Sequence, residues 1–170
     1  MRSARAGFGP LLPDGFGWSA FVGGGERIAA RIDQLDVRVA VADAGGTVEG
    51  YCVVGPTRDE GQAGGEVWTL FVDPGAWGGG AADRLLMDEL GWMSGRDADP
   101  VTVWSFVDNR RAKRFYERHA FRADGAQRTL PEFAGLVAER LARPQSATAR
   151  RTRSATARPS TSASSTRRTT

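Results

Sequence analysis

The chain has 170 residues, 41% hydrophobic and 25% charged, a length and balance that suit one domain with its own core and exclude collagen-like or wholly disordered composition. Its single cysteine, Cys52, excludes an intramolecular disulfide and a multi-cysteine zinc site, and fits a reducing, cytoplasmic setting. The net charge of +3 hides a division: Pro144 to Thr170 holds six arginines and no acid, and taking six from +3 leaves residues 1–143 at −3.

In chain order, Arg2 and Arg5 are followed by an apolar stretch that Gly7, Gly9, Pro10, Pro13 and Asp14 break, so no signal-peptide core is expected. Nor does any apolar run approach the roughly 18 residues of a membrane span. Gly23-Gly24-Gly25 interrupts helix formation, and only Glu26 to Leu35 reads as helical nearby. Val37, Val39 and Val41 then alternate with Arg38, Ala40 and Ala42, the period-two pattern of a half-buried strand. After a turn at Asp43 to Gly46, Thr47 to Gly55 reads as a second strand, with Val48, Cys52 and Val54 on one face and Tyr51 and Val53 on the other. The two form an antiparallel hairpin. A polar, glycine-rich loop from Pro56 to Gly65 leads to a third strand, Glu66 to Val72, and a fourth is expected at Val101 to Val107.

Two helices stand out between and after these strands. Ala82, Leu85, Leu86, Leu90 and Met93 recur at helical spacing and make one apolar face. Asp108 can cap a second helix, in which Ala112, Phe115, Tyr116 and His119 share a face while Arg110, Arg111, Arg114 and Glu117 stay wet. The last segment, from Pro144, lacks Leu, Ile, Val, Phe, Trp and Tyr and repeats Ser-Ala-Thr-Ala-Arg at Ser146 and at Ser154. It cannot bury enough apolar surface to offset its ordering entropy, so it is expected to be a disordered tail, 144–170, beyond a folded domain, 1–143. Its arginines leave a weak nucleic-acid contact as a minor reading, with nucleic acid not the expected partner.

The chemistry concentrates at Asp73-Pro74-Gly75-Ala76-Trp77-Gly78-Gly79-Gly80-Ala81-Ala82, between a strand and an amphipathic helix. Without side-chain bulk, backbone N–H groups of the turn and the first helical turn can close around a phosphate, aided by the helix dipole. A flexible glycine connector is the bland alternative. No Gly-Lys-Ser/Thr follows, which excludes a P-loop, and the antiparallel lead-in speaks against a dinucleotide fold that opens on a βαβ unit. His119, the one histidine, lacks companions for a metal site, and Cys52 on an interior strand reads as a small buried residue.

From Glu66 through Phe121 the chain resembles the GNAT acetyltransferase superfamily. In that family a strand ending Val-Asp-Pro leads into Gln/Arg-x-x-Gly-x-Gly/Ala; here Val72-Asp73-Pro74 precedes Trp77 to Ala82, so Gly80 and Ala82 match while Trp77 stands at the usual polar position. A second block, Asp108-Asn109 with Arg114-Phe115-Tyr116-Glu117-Arg118 and Ala120-Phe121-Arg122, is similar to the family's Asn-x-x-Ala-x-x-Phe-Tyr-Glu-x-x-Gly-Phe segment, with Ala120 where glycine is usual.

The resemblance implies an α/β (α+β) fold: a mixed, mostly antiparallel central sheet flanked by helices, with acetyl-CoA wedged between two splayed strands, Glu66 to Val72 and Val101 to Val107. It implies direct transfer of acetyl from acetyl-CoA to a primary amine, on a small molecule or peptide, without a metal. Backbone groups near Leu70 and Val72 would hold the pantetheine arm. The turn residues Trp77, Gly78, Gly79, Gly80, Ala81 and Ala82 would hold the pyrophosphate, and Asn109 would also touch the cofactor. Tyr116 matches the family's tyrosine acid, since a phenol near pKa 10 can protonate a thiolate whose pKa is near 8.5. Glu66 is the candidate base. Core packing of Tyr116, simple exposure of Glu66 and helix capping by Asn109 are the structural alternatives. At the level of the whole protein, the alternative is a degenerate member that binds an acyl-CoA or a partner without turnover, a reading prompted by the weak amino-terminal pattern, Trp77 and the tail. The acceptor is not legible, and a homodimer is left open.

Overall fold

The computed structural model describes residues 2–18, 30, 34–96 and 98–144. The arginine-rich segment after Pro144 and most of the helix expected at Glu26 to Leu35 lie outside the described residues. Among the described residues the α-helices and strands are, in chain order, α1 (Arg2–Phe8), β1 (Arg38–Ala44), β2 (Thr47–Pro56), β3 (Gly65–Val72), α2 (Ala81–Ser94), β4 (Val101–Phe106), α3 (Arg110–Arg118), β5 (Arg122–Leu130) and β6 (Leu136–Arg143). The six strands form one sheet in the order β1-β2-β3-β4-β6-β5, antiparallel at every pairing except β3 with β4. The expected mixed, mostly antiparallel sheet flanked by helices is what the chain builds.

One face of the sheet is covered by α2 and α3. Their apolar stripes, Leu85, Leu86, Leu90 and Met93 from α2 and Tyr116 from α3, pack on Cys52, Val54, Val67, Val101, Val103 and Leu141. Burial of this set supplies the main hydrophobic stabilisation of the fold. In β1 the contacts to this core come from Ala40 and Ala42, while Val41 is exposed. The valine alternation therefore marked the opposite face, and small side chains lie on the face that packs with α2. Val48 is also exposed. A register shift pairs Gly50 with Ala42 but Val48 with Asp43, and the extra residue, Glu49, reverses the strand's alternation there.

Three elements were not foreseen. The strand β5 is polar and mostly exposed because it is a sheet edge, so it lacks the alternation by which strands are recognised. Its partner β6 and the short α1 were missed with it. The cap of α3 also differs from expectation: Asn109, not Asp108, is the N-cap, its Oδ1 accepting from the Ala112 N–H at 3.1 Å.

Between β3 and β4 the pairing is short. Gly65, Glu66 and Val67 match Val101, Thr102 and Val103, and then the strands part, although β3 continues to Val72 and β4 to Phe106. A second register shift places Val53 opposite Thr69 but Val54 opposite Val67, which leaves Trp68 as an extra residue of β3 at the parting point. A bulge of this kind bends its strand, and here it bends β3 at the fork.

Candidate active site

The fork opens into a cavity of about 1320 Å³ that reaches both faces of the sheet. Of the residues singled out from the sequence, Leu70, Val72, Trp77, Gly78, Gly80, Ala81, Ala82, Asn109 and Tyr116 line it. Gly79 and Glu66 do not. The fork, the glycine turn and the start of α3 thus meet around one space.

Strand geometry sets the character of its β3 wall. The Asp73 N–H donates to Glu49 O in β2 at 2.6 Å. Successive residues of a strand direct their amide groups to opposite sides, so Leu70 and Val72 turn theirs toward the fork. The Val72 carbonyl is already used, since the Trp77 indole Nε1 donates to it at 2.9 Å.

The glycine turn is arranged by its own torsion angles. Gly78 at φ 85° and Gly80 at φ 80° occupy the left-handed region, where side chains are strained, and Gly80 is the N-cap of α2. The first helical hydrogen bond runs from the Arg84 N–H to Gly80 O at 3.0 Å. The N–H groups of Gly80, Ala81, Ala82 and Asp83 consequently have no partner among the described residues. Such a row at the positive end of a helix is a site for an anion. Gly79 contributes differently: its N–H closes the turn onto Ala76 O at 3.2 Å, and its carbonyl accepts from Arg84 Nη1 at 3.1 Å.

Trp77 has a structural use that its replacement of a polar residue did not announce. Its indole staples the turn to the end of β3, and the Arg111 guanidinium lies on its ring, 3.2 Å from the centroid. Arg111 lines the cavity, and its guanidinium forms no ion pair or hydrogen bond among the described residues. Partial burial lowers its pKa, the sign of a cation that has lost water without gaining a counter-charge.

Tyr116 is buried on the inner face of α3, its ring edge-on to Phe115 and Phe121 with centroids 5.2 and 5.5 Å away. The core packing and the cavity position are both real, because the same side chain does both. Its hydroxyl has no hydrogen-bond partner among the described residues. Burial first, and then the neighbouring Cys52, push the phenol well above its ordinary value near 10. His119, at the end of α3, packs against Phe115 with its ring tilted by 57° and binds Asp83 Oδ1 at 2.8 Å. It thereby ties the α3 C-terminus to the first turn of α2. Cys52 is fully buried and burial raises its pKa, so it is an inert core thiol.

Glu66 departs from its expected role as the base. It is only 1% exposed, and Arg58 engages both oxygens: the Arg58 N–H donates to Oε2 at 2.8 Å, and Nη2 to Oε1 at 2.5 Å. A carboxylate so held is not open to an incoming amine, and its effect is to orient Arg58, which does line the cavity. Sequence reasoning passed over Arg58, Trp68, Trp104, Arg111 and Arg128, all on the cavity wall. The one available signal was the tryptophan in each of the two strands expected to splay.

A family model described as Acetyltransferase (GNAT) family matches residues 16–121. No curated protein matches the sequence. Among solved structures, the PaiA N-acetyltransferase of Thermoplasma acidophilum in complex with coenzyme A superposes with a TM-score of 0.65 at 12% identity, covering 85% of this chain and 87% of that one. Ribosomal-protein-alanine N-acetyltransferase of Brucella melitensis gives 0.63 at 18% identity, with 72% and 77% covered. A Bacillus anthracis structure in complex with acetyl coenzyme A gives 0.60 at 16% identity, with 69% and 68% covered. At these identities the likeness is one of fold.

Proposed function

The chain belongs to the GNAT acetyltransferase family, and from that premise we propose that residues 1–143 act as an acetyl-CoA-dependent N-acetyltransferase in a reducing cytoplasm, moving acetyl directly onto a primary amine. The observation that carries this is the fork: β3 and β4 part after Val67 and Val103, and the gap leads to four unpartnered N–H groups at the start of α2. An extended arm between strands and a pyrophosphate at a helix terminus are what such a space accommodates. Two of the solved relatives hold coenzyme A or acetyl coenzyme A.

When bound, acetyl-CoA supplies an activated thioester. The residues then divide the work. Gly80, Ala81, Ala82 and the adjoining turn hold the pyrophosphate by backbone N–H groups, and Gly79 acts by closing that turn. Arg111, from the first turn of α3 and beside the Asn109 cap, provides the charged side chain that Trp77 does not. The backbone N–H groups of Leu70 and Val72 and the Leu70 carbonyl align the arm, and an N–H polarises the carbonyl that the amine attacks. Tyr116 holds a proton for the departing sulfur; its raised pKa keeps that proton in place from neutral pH up to the ordinary phenol range near 10. Glu66 serves as a positioning residue for Arg58.

Titration calorimetry with acetyl-CoA, combined with release of the CoA thiol over a panel of amines, tests this reading. Binding with turnover supports it, and absence of binding at millimolar acetyl-CoA rejects it. Tight binding without turnover on any amine would select the degenerate, non-catalytic alternative.

A further inference from the structure

Resting on the acetyltransferase reading above, we propose that the acceptor is an aromatic α-amino acid, a primary amine that also carries a ring and a carboxylate, held on the sheet face opposite α2 and α3 by two tryptophan-stacked guanidiniums, Arg58 and Arg128.

The two strands of the fork are alike in one respect. The first residue beyond the last pair, Val67 with Val103, is a tryptophan on each: Trp68 on β3 and Trp104 on β4. Trp104 faces away from α2 and α3, because its neighbours Val103 and Ser105 face the core side. The bulge turns Trp68 to that same face, where it lies over Gly55; a Cβ on Gly55 would come within 2.6 Å of its ring. Each indole carries an arginine, with Arg58 5.2 Å from the Trp68 ring centre and Arg128 4.1 Å from that of Trp104. Planar guanidiniums held on indoles are pre-ordered, so little entropy is lost when they bind a carboxylate.

Their counter-charges leave capacity for an anion. Arg58 uses its backbone N–H, Nε and Nη2 on Glu66, which sets the guanidinium in place. Asp59, which Arg128 faces, is already committed. Its oxygens accept from Trp104 Nε1 at 3.1 Å and Arg140 Nη1 at 2.9 Å, and Arg128 reaches it only at 3.8 Å. The side chains of Arg58 and Arg128 remain 43% and 40% exposed, and both line the cavity.

Around them the lining is aromatic. Phe8 meets Phe71 and Phe106 at centroid distances of 5.7 and 5.1 Å, and Phe106 meets Phe133 at 5.3 Å. An apolar ring fits such walls by edge-to-face contact. Of the carboxylates on the lining, Asp83 is bound to His119 and Asp108 sits at the α3 end, which leaves Glu132, next to Phe133, for the ammonium. Two fixed guanidiniums, with Glu132 the carboxylate left uncommitted near them, disfavour polycations such as polyamines. In the reaction, the amino acid's ammonium first loses a proton to solvent. Its nitrogen then bonds to the acetyl carbon, the carbon–sulfur bond breaks and sulfur takes the Tyr116 proton. The amide nitrogen releases its extra proton and the phenolate is reprotonated, so one proton is released overall.

The test measures CoA-thiol release with L-phenylalanine, L-phenylalaninamide, L-alanine and spermidine, alongside acetyl-CoA calorimetry on the same samples. L-phenylalanine is expected to have the lowest KM, and removing its carboxylate should raise KM about tenfold. R128Q should raise KM for L-phenylalanine about tenfold while leaving the amide unchanged; R128K, which keeps charge without the planar stack, should fall between. An amide as good as the acid, or a preference for spermidine, overturns the proposal. Acetyl-CoA binding without acetylation of L-phenylalanine overturns it while sparing the acetyltransferase reading. Failure of acetyl-CoA to bind removes both.

Discussion

The two faces of the sheet are built from different materials. Toward α2 and α3 the site is made of backbone: orphan N–H groups at a helix start, two left-handed glycines and the unpaired edge of β3. On the opposite face, which α1 packs against, it is made of side chains, with arginines stacked on tryptophans and phenylalanines edge to face. In the proposed function, backbone donors would recognise a phosphate group that is the same in every donor molecule, and such donors tolerate sequence change as long as the torsion angles survive. Side chains recognise what varies from acceptor to acceptor. One fold can therefore keep the first face while the second is rewritten.

The largest effect that would test this division lies between the faces, at Tyr116. Y116F should lower kcat by about a hundredfold or more with little change in acetyl-CoA affinity, as loss of a positioned proton donor does. Because burial holds the phenol above its usual range, the wild-type pH–rate profile should rise as the amine deprotonates and show no descending limb through pH 10. Such a limb would show that Tyr116 ionises within the working range. Next in size is Arg111, the one side-chain contact assigned to the backbone-made face: R111A should raise KM for acetyl-CoA about tenfold and leave acceptor KM unaltered. A change in acceptor KM would mean that the faces are not independent.

The core beneath α2 also holds a buried carboxyl. Glu89 on α2 is fully buried, with Arg38 3.6 Å away as its counter-charge. Burial raises its carboxyl from 4.5 to about 7, against the pull of Arg38. The folded state thus favours the protonated form: stability is greatest below the unfolded value and falls as pH rises toward 7, by up to about 3 kcal/mol. Urea unfolding at pH 5 and pH 8 should show this loss, and E89Q should reduce it. The smallest effect concerns Ala120, whose φ of 64° lies in the left-handed region where the family motif carries glycine. A120G should stabilise the fold by about 1 kcal/mol in the same assay without altering kinetics.

What the sequence determined by itself was local. Helical spacing identified α2 and α3, period-two alternation identified β1 and β2, and the glycine turn with the Tyr116 block pointed to segments that line one cavity, because backbone torsion and short-range periodicity are properties of neighbouring residues. Its errors follow from the same limit. The valine face of β1 and the phase of Val48 were misassigned because a bulge and the packing of α2 decide them, and the exposed edge strand β5 carries no periodic signal at all. Only the tertiary structure decided that Glu66 is claimed by Arg58, eight positions earlier, and that Arg58 and Arg128, 70 positions apart, flank one fork. Those facts depend on where β3 and β4 part, and that point is set by three strand pairs and a bulge, none of which belongs to any single stretch of chain.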